Sequence, residues 1–109
     1  MTIKYRTLAQ ANPSANTPTV IYTVPANTQT VVSTFQVCNL SANAGAFYIS
    51  TQVAGASLAN NQYVAYNTTV PGYDSISFTI GMALGNTDTV TVQANTNSVT
   101  FVMFGSEIT

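Results

Sequence analysis

Acid–base chemistry in this chain is confined to very few side chains. Lys4, Arg6, Asp74, Asp88 and Glu107 carry all the formal charge, Cys38 is the one thiol, six tyrosines supply phenols, and there is no histidine. Without His, no side chain is a ready proton acceptor near neutral pH. A Ser or Thr nucleophile needs an activating base, and one Lys, one Arg and three carboxylates are a thin supply. Asp74 and Asp88 are the pair that could serve as the two carboxylates of a glycosidase. Each, however, directly follows a turn and opens a strand-like run, a place where Asp accepts backbone hydrogen bonds. The acids are too scattered for an EF-hand-type calcium loop. Cys38 alone forms neither a disulfide nor a zinc site, and in an apolar strand it is expected to be a buried, inert thiol. The expectation is a protein with no catalytic residues, no metal and no cofactor.

The scarcity of charge extends to whole partner classes. Every position from Thr7 to Tyr73 is uncharged, and only 5% of the chain is Asp, Glu, Lys or Arg, against about a quarter in a typical domain. Thr, Asn, Ser and Gln take their place, so the polar surface is made of hydroxyls and amides. Nucleic-acid affinity comes largely from Lys and Arg on phosphates, and two such residues within the first six positions form no groove. An anionic membrane surface is served no better, and no apolar run reaches the length of a spanning helix. The first 18 residues hold no apolar stretch of signal-peptide length either, so that secretory route is not expected. Hydroxyl, amide and aliphatic surface can be covered without stranding a charge. Such a surface suits packing against neighbours.

The elements that position these residues read as strands. "GAFYISTQV" (45–53) sets Phe47, Ile49 and Val53 on one face. "SISFTI" (75–80) alternates Ile76, Phe78 and Ile80 with Ser and Thr, and "DTVTVQA" (88–94) repeats the device with Val90, Val92 and Ala94. "TVIYTV" (19–24), "TVVSTFQVCNL" (30–40), "QYVAY" (62–66) and "SVTFVMF" (98–104) complete a set of seven. Period-two alternation with turn residues every ten or so positions predicts an all-β chain. One apolar face per strand predicts an antiparallel two-sheet β-sandwich of seven or eight strands, jelly-roll or immunoglobulin-like. Only "AGASLANNQ" (54–62) leaves room for a helical turn. Thr-Val-Pro occurs at 23–25 and again at 69–71, and each proline should end one strand and send the chain across to the next. Residues 1–18, rich in Thr, Ala, Asn, Ser and Pro, read as an extended N-terminal arm, with 19–109 as the single sandwich domain. Tyr22, Tyr48, Tyr63 and Tyr66 fall inside strands and are expected in sheet or interface packing.

At "YRTLAQANPSANTPTVIYTVPANTQTVVSTFQVCNLSA" and at the closing "NSVTFVMFGSEIT" the sequence resembles a family of small structural proteins of tailed bacteriophages. The similarity runs over nearly the whole chain, and the Val-Cys-Asn and Phe-Gly-Ser-Glu blocks are its distinctive parts. What it implies is membership of the virion, a β-sandwich module and no enzymatic activity, in a head-decorating or a tail- or neck-associated role. The resulting expectation is a many-copy capsid decoration or cement protein on the exterior of the particle. It would be a homo-oligomer, a trimer, docked on the major capsid protein or on tail and neck proteins. Lys4, Tyr5, Arg6, Pro13 and Pro18 of the arm would make the assembly contacts. The alternatives are a tail, neck or fibre module, and a carbohydrate-binding sandwich with exposed aromatics on one platform.

Overall fold

Period-two alternation becomes pleated sheet along most of the chain in a computed structural model that describes residues 1–109. The strands are β1 (Ile3–Ala11), β2 (Thr19–Thr23), β3 (Gln29–Asn39), β4 (Gly45–Gln52), β5 (Tyr63–Val70), β6 (Ser75–Leu84), β7 (Thr89–Ala94) and β8 (Val99–Ile108). Helix is limited to two short 3-10 turns, Val53–Gly55 and Asn60–Gln62, at the ends of the segment where a turn was expected.

The two four-stranded sheets have the orders β1-β8-β3-β6 and β2-β7-β4-β5, and every pairing is antiparallel. β1 pairs with β8, β2 with β7, β3 with β6 and β4 with β5, as in one long hairpin folded at the β4–β5 connection. Rolling that hairpin up adds the β3–β8 and β4–β7 pairs. This is the eight-stranded jelly roll, and it decides between the two topologies that alternation alone leaves open.

Between the sheets lie the inward side chains of the alternating strands. Phe35, Phe47 and Phe101 are fully buried, with Val32, Val37, Val90, Val92, Val99 and Met103 around them. The rings run edge to face through the core: Phe35 to Phe101 at 6.2 Å, Phe101 to Phe47 at 6.2 Å and Phe47 to Phe78 at 5.9 Å. Aromatic pairs prefer this arrangement, and here it ties β3, β8 and β6 of one sheet to β4 of the other.

Both Thr-Val-Pro corners do what their sequence predicts. Pro25 lies between β2 and β3, Pro71 between β5 and β6, and each marks a crossing from the second sheet to the first. In each, the valine before proline is buried, and the residue two after it turns left-handed: Asn27 at φ 57° and Tyr73 at φ 52°. Proline fixes the first turn residue and offers no amide to the sheets it separates.

Two expectations are corrected. The N-terminal residues are not an arm over their first part. Ile3–Ala11 is a strand hydrogen-bonded along β8, from Ile3 opposite Ile108 to Ala11 opposite Phe101. As an edge strand it buries only Leu8 and so carries no apolar period. Residues 12–18 then cross to β2 on the other sheet. Cys38 is not core filling: it is half-buried on the outer face, between the buried Val37 and Asn39. Both neighbours of β3 shift register between Val32 and Thr34, and this bulge at Ser33 resets which side chains face inward.

Candidate functional site

The two aspartates that could have formed a catalytic pair serve the backbone. Asp88, at the start of β7, accepts from the amide of Ala54 through Oδ1 and from the amide of Gly85 through Oδ2, both at 2.9 Å. Asp74 accepts from the Ser75 amide at 2.8 Å. The ten residues of β6 stand between their turns, about 33 Å of extended chain. A shared substrate is out of their reach. No three residues among Cys, Asp and Glu come together in metal-binding geometry.

The remaining carboxylate, Glu107, is the centre of a buried cluster. Its Oε2 accepts from the Tyr22 phenol, and its Oε1 lies 3.2 Å from Arg6 Nη1. The Tyr22 oxygen also lies 2.9 Å from Thr30 Oγ1. Four strands meet here, with Tyr22 from the second sheet reaching Thr30 and Glu107 of the first, and Arg6 joined through Glu107. Burial, followed by the hydrogen bond to the Glu107 carboxylate, pushes the Tyr22 phenol up to about 12. A phenol held protonated and already donating to a carboxylate is a tie between sheets; it has no acceptor left for a substrate proton.

A second buried network was invisible in the alternation, which set Ser50 and Gln52 on the polar face of β4. The β4–β5 loop folds over that face and buries both. Gln52 Nε2 donates to Ser50 Oγ at 3.0 Å and to Gln62 Oε1 at 3.2 Å. Its Oε1 accepts from Thr89 at 2.9 Å and Thr91 at 2.7 Å. No buried side-chain polar atom in the protein lacks a partner.

The five expected contact residues fall in different places. Lys4, Tyr5 and Arg6 are consecutive on β1, where Tyr5 is 83% exposed on the outer face and Lys4 has no ion-pair partner. Arg6 is spent within the chain on Glu107. Pro13 is buried, so it packs inside the subunit and presents nothing to a neighbour. Pro18 is exposed at the start of β2, on the other sheet, beside a shallow crevice that it lines with Tyr48, Leu58 and Tyr63. The structure therefore sets Tyr5 on the opposite face of β1 from Lys4 and Arg6, and leaves Pro18 on the other sheet.

Next to that crevice, Tyr48, Tyr63 and Tyr66 cluster, with ring centroids 4.8–6.3 Å apart at interplanar angles of 61–82°. The rings meet edge to face and cover one another, and Tyr66 is the most open at 65%. The largest hollow, about 460 Å³, lies at the end of the sandwich between Asn27, Gln29, Asn86 and Ile108, and no ionisable side chain lines it. No known family model matches this chain, and no curated protein matches it.

Proposed function

We propose that this protein is a non-enzymatic structural component of a tailed-bacteriophage virion, a many-copy capsid decoration or cement protein on the outside of the particle. The observation that carries this reading is a jelly roll with an outer sheet face free of formal charge. Across sheet β1-β8-β3-β6, Tyr5, Ser106, Val31 and Ala83 form one cross-strand row, and Thr7, Phe104, Thr34 and Thr79 form the next. Such a face can be covered by a neighbouring subunit without desolvating an ion, and the association would depend little on salt. Jelly rolls are recurrent in viral capsids, which is support by analogy of fold alone.

The blocks that carry the phage resemblance have structural work to do, consistent with a protein that acts through its shape. In Val37–Asn39, the buried Asn39 amide donates to the carbonyls of Asn43 at 2.8 Å and Val70 at 3.3 Å, holding the β3–β4 loop. In Phe104–Glu107, Gly105 lets the Val31 carbonyl approach, and Glu107 anchors Tyr22.

The test is location and copy number. An antibody against the recombinant protein, applied to purified phage particles with quantitative mass spectrometry, should find hundreds of copies on the head. Absence from particles overturns the virion reading, and a few copies confined to the tail moves it to a tail, neck or fibre role. Contact with host glycan is a second reading, favoured by the Tyr48–Tyr63–Tyr66 cluster. It requires that Tyr66→Ala abolish binding on a glycan array.

A further inference from the structure

The two long sides of the sandwich differ. β1 lies against β2 at one side, which puts β5 and β6 at the other. At the β1/β2 side the inward residues Leu8 and Tyr22 are buried, the β1 edge carries Lys4 and Arg6, and the five-residue β2 is bracketed by Pro18 and Pro25. Charge, proline and shortness are the devices that keep a sheet edge from pairing with another chain.

The β5/β6 side has them only at the corner between its strands, where Pro71 and Asp74 lie, and β6 itself runs for ten residues. Between Tyr63 and Leu84 the single charge is Asp74, in the turn, with its Oδ1 held by the Ser75 amide. Apolar side chains are left incompletely covered there. Ile76 and Phe78 point into the sandwich but are only partly buried, Ile80 is 38% exposed and Val64 is 45% exposed. Ser75–Thr79 runs in unbroken register with Thr34–Cys38, while its other edge has no strand beside it. Beyond it, two residues, Ile80 and Gly81, stand opposite the single Ser33, with Gly81 at φ 59°. A bulge re-aims side chains, and here it leaves an isoleucine in solvent.

We infer that a second copy of this chain covers the β5/β6 side, the two molecules related by a two-fold axis with their β6 edges antiparallel over Ser75–Thr79. This rests on the structural-assembly reading and assigns its self-contact. An open strand edge is satisfied by another strand edge, and an antiparallel pair obeys a two-fold axis without any change in either partner. The side is its own complement, because no charged side chain meets a like charge across the axis: Asp74 lies past the end of the ladder, opposite position 80 of the second copy. The same contact made through β1 would set Lys4 and Arg6 against their own copies, which electrostatics penalises. Ser75, Ser77 and Thr79 supply hydroxyls suited to cross-strand pairing. A five-residue ladder contributes about five hydrogen bonds, within the usual range for an interface, and Val64, Ile76, Phe78 and Ile80 supply the apolar area. The building unit is then a dimer, in place of the trimer expected from the sequence.

Light scattering and sedimentation of the full chain should give a dimer that dissociates on dilution. Ser77→Lys, which stands on the two-fold axis and sets a charge against its own copy, should weaken association at least tenfold, roughly the factor set by 1.4 kcal/mol. Thr23→Lys, exposed on β2 at the other side of the sandwich, should leave it unchanged. The amides of Ser75–Thr79 that point away from β3 should exchange slowly in the dimer and faster on dilution. A wild-type protein that is monomeric or trimeric at every concentration, or association indifferent to Ser77→Lys, overturns the inference. Should Ser77→Lys fail to fold, the dilution dependence of wild-type exchange decides alone. A monomer that still decorates particles sinks only this inference, whereas a dimer absent from all particles sinks only the virion reading.

Discussion

The phenol of Tyr22 in β2 donates its hydrogen bond to the carboxylate of Glu107 in β8, joining the two sheets through side chains 85 positions apart. The same carboxylate holds Arg6 of β1, but the two partners differ in setting. Tyr22 is buried, whereas the Arg6 side chain is half in water. A buried hydrogen bond to a charged group contributes about 1.5–3 kcal/mol; a half-exposed ion pair contributes about 1 kcal/mol or less. Glu107→Ala should therefore lower unfolding stability by about 2 kcal/mol or more, and Arg6→Ala by clearly less. Urea midpoints of the two variants check the order, and equal losses would contradict it.

A pH dependence follows from the same contact. Tyr22 titrates at about 12 in the folded protein against 10.0 for an ordinary tyrosine. Between those values the unfolded chain has released the phenolic proton and the folded one has not. The folded state binds more protons there, so stability falls as pH rises. The contribution is complete below pH 10 and lost by about pH 12. Wild type should exceed Tyr22→Phe in urea midpoint at pH 8, with the gap narrowing through this window. A gap that stays constant to pH 12 would remove Tyr22 as the cause.

Two glycines are fixed by close backbone approach. A Cβ on Gly105 would lie 2.0 Å from the Val31 carbonyl oxygen, and one on Gly72 would lie 2.0 Å from that of Ala42. Neither carbonyl is a flexible tip that can swing away. Gly105→Ala and Gly72→Ala should each cost about 3 kcal/mol or more, among the larger single-site effects. Gly81, at φ 59° with open space around it, is the contrast. There alanine meets only backbone strain, about 1–2 kcal/mol. Thermal melts of the three variants should separate them in that order.

Legibility in the sequence followed burial on one face. Residues 75–79 and 88–94 alternate cleanly because one side of each strand meets the core, whereas the bulge turns outward the Ile80 that alternation sets inward. The two proline corners were readable because proline has few uses inside a sheet. The last four residues of β5, Asn67–Val70, lie at a sheet edge and look like loop. β8 continues past the 98–104 run through Gly105 and Ser106 to Ile108, where Gly105 admits the Val31 carbonyl. The parity of Cys38 depended on the bulge at Ser33, which no local signal marks. Of the site residues, Lys4, Tyr5 and Arg6 stood out as chemical rarities, yet the use of Arg6 was hidden. Its partner Glu107 comes beside it only when the chain's two ends pair.

The N-terminal residues give the last prediction, because the strand pairing changes what a truncation means. Deleting residues 1–11 removes a whole edge strand, takes away the buried Leu8, bares one edge of β8 and leaves Glu107 without its guanidinium. The uncovered edge of β8 would be a template for pairing with other chains. The truncated protein should melt at a lower temperature and aggregate, so its loss from particles would say nothing about docking. Tyr5→Ala separates the two effects, since the ring is outward and exposed and its removal should shift stability by within about 0.5 kcal/mol. If the outer face of β1 touches a neighbouring subunit, Tyr5→Ala lowers occupancy on particles while the melt stays unchanged. Full occupancy with an unchanged melt would assign β1 to the fold alone.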